Sequence, residues 1–173
     1  SLLRYVGEDE NKVLVYDLDM ENPVAVDTFE VVTGPGQMVL DNDELWVAST
    51  YYDDTWQTYA GMSKIDLDSK EVTMLDYGVN FNFSKDIVKY ENKIYRTYKN
   101  GLMEINADLT YDEDKLIGTV PQKVYSASAG GDKIYIGTTD YAAPDTLYVF
   151  DNGFVIEDIK VGAIPTTVAF PEN

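Results

Sequence analysis

Apolar and polar positions alternate along most of the chain, in short runs rich in β-branched and aromatic residues. Asn, Asp, Gly and Pro break those runs. A period of two with such punctuation predicts half-buried strands joined by turns. No stretch shows the three-to-four spacing of an amphipathic helix. The pattern therefore predicts an all-β chain.

The runs also repeat. Arg4-Tyr5-Val6-Gly7, Leu45-Trp46-Val47-Ala48, Ile94-Tyr95-Arg96-Thr97 and Ile134-Tyr135-Ile136-Gly137 place an aromatic residue at steps of 41, 49 and 40. A polar turn precedes the last three: Asp41 to Glu44, Glu91 to Lys93, and Gly130 to Lys133. A second landmark follows each aromatic one: Asp17, Asp66, Asn106 and Asp151, stepping by 49, 40 and 45. Two independent landmarks on one period of 40 to 50 residues indicate a repeat architecture. The landmark carboxylates fall at strand ends, where they are expected to bind turn N–H groups.

Four strands fit each period, and four-stranded antiparallel units of this length are the blades of a β-propeller. The expected boundaries are blade one 1–32 closed by 165–171, blade two 37–77, blade three 85–120 and blade four 122–161. The innermost strands are read at 37–41, 85–90, 122–126 and 165–170. Blade one lacks its own innermost strand, and the segment 165–170 is a spare one. The four blades then form either a closed four-bladed ring or part of a larger seven- or eight-bladed ring. A β-sandwich is the rival fold, without the landmarks of an immunoglobulin domain.

Some of these units carry a resemblance. Asp132-Lys133-Ile134-Tyr135-Ile136, Leu147-Tyr148-Val149-Phe150-Asp151 and Ile159-Lys160-Val161-Gly162-Ala163-Ile164-Pro165 resemble the YncE-like, surface-layer-type propeller repeat. Met62 to Val72 is similar to the same unit, with Ser69 where that family often has Gly. The third repeat departs from it, because Arg96 stands in an apolar position. The acidic, Tyr-rich variant resembles lipoprotein propellers exported by Bacteroidetes-type bacteria. The resemblance implies a cell-surface or periplasmic location through a lipoprotein anchor outside this chain. It also implies, for some relatives, cobalamin capture or glycan uptake. No cobalamin-specific motif stands in the sequence.

Composition narrows the chemistry. The 173 residues include no Cys and no His, and 31 acidic residues against 13 basic give a formal charge of −18. Thiol catalysis, His bases and His- or Cys-ligated metals are excluded. A polyanionic nucleic acid is an unfavourable partner. The chain opens Ser1-Leu2-Leu3-Arg4, without a signal-like or membrane-spanning run, and reads as a mature product or a fragment.

Propeller topology would gather the longer loops on one face. That face collects Tyr51, Tyr52, Asp53, Asp54, Trp56, Tyr59, Tyr98, Asp140 and Tyr141 as candidate ligand-binding residues. Tyr and Trp on loops supply amphipathic contact area at low entropy cost. Phe81 and Phe83 are expected instead to cover blade edges. The acidic groups Asp53-Asp54, Asp140 with Asp145, and Glu8-Asp9-Glu10 lack calcium-loop spacing and read as a solvated rim.

The leading expectation is a non-enzymatic binding propeller without catalytic residues, metal or cofactor, holding a small molecule, a glycan or a membrane-protein partner. A carbohydrate-active hydrolase or lyase using paired carboxylates on the same face is the alternative. A structural module that self-associates to complete a larger ring is the third.

Overall fold

A computed structural model describes residues 10–19, 21–141 and 144–170. Among them it holds fourteen strands in four antiparallel sheets and no helix. The first sheet pairs β1 (Lys12–Tyr16) with β2 (Ala25–Glu30). The second runs β3 (Pro35–Asp41), β4 (Glu44–Tyr52), β5 (Thr58–Asp66) and β6 (Val72–Val79) in chain order. The third contains β7 (Phe83–Tyr90), β8 (Lys93–Tyr98), β9 (Gly101–Ile105) and β10 (Tyr111–Ile117). The fourth contains β11 (Val124–Gly130), β12 (Lys133–Thr138), β13 (Asp145–Asp151) and β14 (Phe154–Val161).

Three complete four-stranded meanders thus stand at the expected repeats. The first repeat shows its third and fourth strands, and the expected strand at Arg4 to Gly7 lies outside the described residues. Tight hairpins account for the meander. Glu91-Asn92, Gly131-Asp132 and Asn152-Gly153 each place two consecutive residues at positive φ. Those pairs form two-residue turns whose twist matches the flanking strands. Two of the three landmark carboxylates act as expected: Asp17 Oδ1 accepts the Asp19 N–H, and Asp66 Oδ1 accepts the N–H groups of Asp68 and Ser69, while Asp151 Oδ1 accepts the Asn152 side-chain amide.

One strand position needs correction: the innermost strand of the fourth repeat is 124–130 rather than 122–126. The fourth strand of the third repeat spans 111–117, inside the expected blade 85–120, and its ladder starts where Tyr111 pairs with Ile105. The spare inner strand at 165–170 is extended but irregular. Side chains hold it to the fourth sheet: Ser126 Oγ donates to the Pro165 carbonyl, and the Val168 N–H donates to Ser128 Oγ. The Phe170 ring packs beside Tyr135, in space left by the missing side chain of Gly130. No backbone ladder pairs it with another strand among the described residues, and its expected partner at Arg4 to Gly7 lies outside them.

The described chain divides into two compact units, 1–81 and 82–173. In the first, Val13, Phe29, Val31, Val47 and Ile65 form the core between two sheets. In the second, Val88, Tyr95, Leu102, Ile134, Ile136 and Phe150 belong to a larger one. Apolar burial on paired sheet faces is the main stabilising term in each.

The second unit also buries charged side chains, Arg96 and Asp86 most completely. Arg96 donates through Nε to the Ser84 carbonyl at 3.0 Å, and its guanidinium lies 4.7 Å from the Phe83 ring centroid. Asp86 is fully buried; its Oδ2 accepts the Ala127 N–H at 3.0 Å, while Oδ1 has no hydrogen-bond partner. Burial pushes the Asp86 carboxyl up, opposed by the Ala127 N–H and Lys85. A raised carboxyl contributes stability below its unfolded value that is lost as pH rises through the folded value. Asp86→Asn keeps an acceptor for Ala127 without ionising. Urea melts should show its unfolding free energy gaining on the wild type between pH 4 and pH 7. A difference independent of pH would contradict this account of Asp86.

Candidate functional site

The longest hairpin among the described residues joins β4 to β5, with nine residues in each strand. Half of the segment 50–59, expected to lie on a loop, is ladder: Tyr51 pairs with Tyr59, and Tyr52 with Thr58. Tyr51, Tyr52 and Tyr59 are therefore strand residues, which corrects their assignment to a loop. Thr and Tyr favour the strand although the local pattern is polar. Only residues 53–57 turn.

Asp53 organises that turn. Its Oδ1 accepts the N–H groups of Thr55 and Gln57 at 2.8 and 2.9 Å, and the Thr55 hydroxyl at 2.8 Å. Its Oδ2 accepts the Tyr59 hydroxyl at 3.2 Å. The Gln57 N–H first, then Thr55, hold this carboxyl below the usual carboxylate range. Asp53 is thus an ionised anchor of the turn rather than a group left open for ligand.

The Tyr51 and Tyr59 rings stack at 5.0 Å with planes 16° apart. Tyr51 donates its hydroxyl to Asp76 Oδ2 at 2.8 Å, and Asp76 Oδ1 accepts the Gly78 N–H. Burial, followed by the Asp76 carboxylate, pushes the Tyr51 phenol up to about 12. Both tyrosines are consequently neutral donors at ordinary pH, each tied to a carboxylate. Asp76 is the site residue that the sequence reading missed. The polar residue interrupting Met74-Leu75-Asp76-Tyr77 is the signal, but its link to Tyr51 depends on the irregular β5–β6 register.

On this fixed platform stand two exposed rings. Tyr52 is 46% exposed and Trp56 61% exposed, with centroids 6.3 Å apart and planes tilted by 53°. Trp56 has φ of +64° while its N–H donates to the Asp53 carbonyl. That backbone region suits Gly or Asn and costs a bulky residue about 1–2 kcal/mol. Asp54, beside Trp56, is exposed and its carboxylate has no partner among the described residues. The Asn80 N–H donates to the Thr58 carbonyl, which brings the end of β6 to the same end of the sheet. Phe81 follows there and is 69% exposed, which corrects the expectation that it covers an edge.

The remaining candidates lie in the second unit. Tyr98 is only 2% exposed, enclosed by Phe83 at 4.7 Å and Tyr111 at 5.9 Å. It is a core residue, and its assignment to a ligand face is corrected: at the end of β8 its side chain turns inward. Phe83 is buried with it, as expected. Tyr141 is 69% exposed at φ of +65° and meets Tyr125 edge-on at 6.0 Å. The Asp140 N–H donates to Asp145 Oδ1, and Asp145 Oδ2 accepts the Ile164 N–H. Asp145 is thereby buried as a loop anchor, its carboxyl lowered chiefly by Ile164.

The candidate site is therefore the end of the β4–β5 hairpin. The molecule is an all-β protein of antiparallel sheets with an aromatic, acidic hairpin end. No protein-family model matches the chain, and no curated protein matches it. Among the described residues no helix is long and apolar enough to cross a membrane.

Proposed function

We propose that the chain is a non-enzymatic binding module built of β-propeller blades and exported to the cell surface or periplasm. Its hairpin end holds a small molecule, a glycan or a protein partner. The observation that carries this reading is Trp56. A bulky ring is kept at a strained backbone position, exposed beside Tyr52, on a turn locked by four hydrogen bonds to Asp53. Strain at an exposed aromatic residue is retained where the ring has a task that glycine could not perform. The YncE-like resemblance supports the propeller reading, as does the four-stranded meander in three consecutive repeats.

The hydrolase alternative has less support at this site. A glycosidase acid needs a raised pKa opposite a second carboxylate. Asp53 is instead held ionised by its turn.

The test is a binding panel of glycans, peptides and small molecules run against the wild type and the Tyr52→Ala/Trp56→Gly double variant. A ligand found on the wild type should bind the double variant at least about tenfold more weakly, since two aromatic contacts are lost. Equal affinity would remove the hairpin end from the site.

A further inference from the structure

The distribution of charge around the hairpin narrows its partner. Residues 47–63 carry Asp53 and Asp54 and no basic residue; residues 71–84 carry Glu71 and Asp76 and again none. Residues 1–81 hold 17 acidic and four basic residues, against 14 and nine in residues 82–173. The two lysines that bound the hairpin and β6 are already engaged, Lys64 with Glu44 at 2.8 Å and Lys70 with Asp27 at 2.6 Å. An aromatic ring presents a negative face, and Trp binds cations best. Here two exposed rings, 6.3 Å apart, flank the exposed Asp54 in sequence, in a segment charged with one sign.

We infer that the hairpin end docks a basic protein segment, with an Arg or Lys side chain seated against Trp56 and Tyr52 and facing Asp54. The inference rests on the hairpin end being a binding surface. A neutral sugar would gain ring contact but nothing from the field; an anion would be repelled. A protein segment is favoured over a free amine because Val79 and Phe81, also exposed, extend the apolar area at this end of the sheet. Aromatic residues meeting Arg are a recurrent composition of interface cores.

The probe is a fluorescent peptide of alternating Arg, Gly and Ser, beside the same peptide with every Arg replaced by citrulline, its neutral isostere. Fluorescence anisotropy should show the Arg peptide binding at least about tenfold more tightly, with the advantage shrinking as salt is raised. Trp56→Gly should weaken the Arg peptide by about 2- to 30-fold, the range of a cation–π contact. Trp56→Asn serves as a second variant tolerating the same backbone. Asp54→Asn should weaken binding as well. Asp68→Asn, which changes the net charge equally at an exposed turn of the same unit, should not. Equal binding of the two peptides, or equal losses from Asp54→Asn and Asp68→Asn, would overturn the inference. If neither peptide binds but a glycan does and is lost in Trp56→Gly, the cationic partner is wrong and the binding surface stands. If nothing in the panel depends on Trp56, both fail.

Discussion

Replacing Gly34 by alanine is expected to lower the unfolding free energy by about 2–5 kcal/mol and to disorder the aromatic hairpin together with the fold. Gly34 sits at φ of +70°, where a side chain costs about 1–2 kcal/mol. A Cβ there would meet the Thr50 carbonyl oxygen well inside contact distance and the Tyr51 Cβ at 3.0 Å. These are backbone and near-backbone atoms that cannot swing aside, so overpacking adds about 1–3 kcal/mol. Gly34 also accepts the Thr50 N–H and donates to the Glu10 carbonyl, so its displacement loosens both neighbours. Urea unfolding measures the stability loss. The stacked Tyr51 and Tyr59 should show it too, because the Tyr51 phenol would titrate nearer its ordinary value of about 10 once its contacts loosen. Unchanged stability would mean that the close approach of Gly34 to β4 does not position the hairpin.

Truncating Phe83 to alanine is expected to cost about 3–5 kcal/mol, the usual loss for a buried phenylalanine. Its ring meets Tyr98 at 4.7 Å and Tyr111 at 5.0 Å edge-on, and it underlies the Arg96 guanidinium. Arg96 is fully buried, so removing the ring also strips an attractive neighbour from a buried cation. Phe81→Ala, two residues away, is expected to change stability by less than about 1 kcal/mol because that ring is mostly in solvent. Thermal or urea melts of the two variants make a matched pair. Similar losses at both positions would contradict the assignment of Phe83 to the core and Phe81 to the surface.

That pair also shows what the sequence discloses. Both phenylalanines lie in Asn80-Phe81-Asn82-Phe83-Ser84, and nothing local separates them. The separation comes from where β7 begins, which sets one ring against Tyr98 and leaves the other outside. Tyr98 misleads for the same reason: the residue type suits a ligand face, but the pleat at the end of β8 aims it inward. The repeat itself was legible, because turn residues and landmark carboxylates are local chemistry. Asp17 and Asp66 bind the turn N–H groups that their position implies. Asp53 was legible only as a carboxylate near aromatics. Its part as the anchor of the Trp56 turn depends on a backbone path that composition does not specify. Asp76 depended on strand register, which the local sequence does not specify.

The central claim, that the hairpin end is the binding surface, is open to one direct measurement. The chain has two tryptophans; Trp46 is 4% exposed and Trp56 stands in solvent on the turn. Their two indole N–H signals can be followed by nuclear magnetic resonance while the Arg peptide, or any ligand from the panel, is titrated to saturation. The account predicts that the Trp56 signal moves along the binding curve while the Trp46 signal stays in place. Saturation with the Trp56 signal unmoved would contradict it.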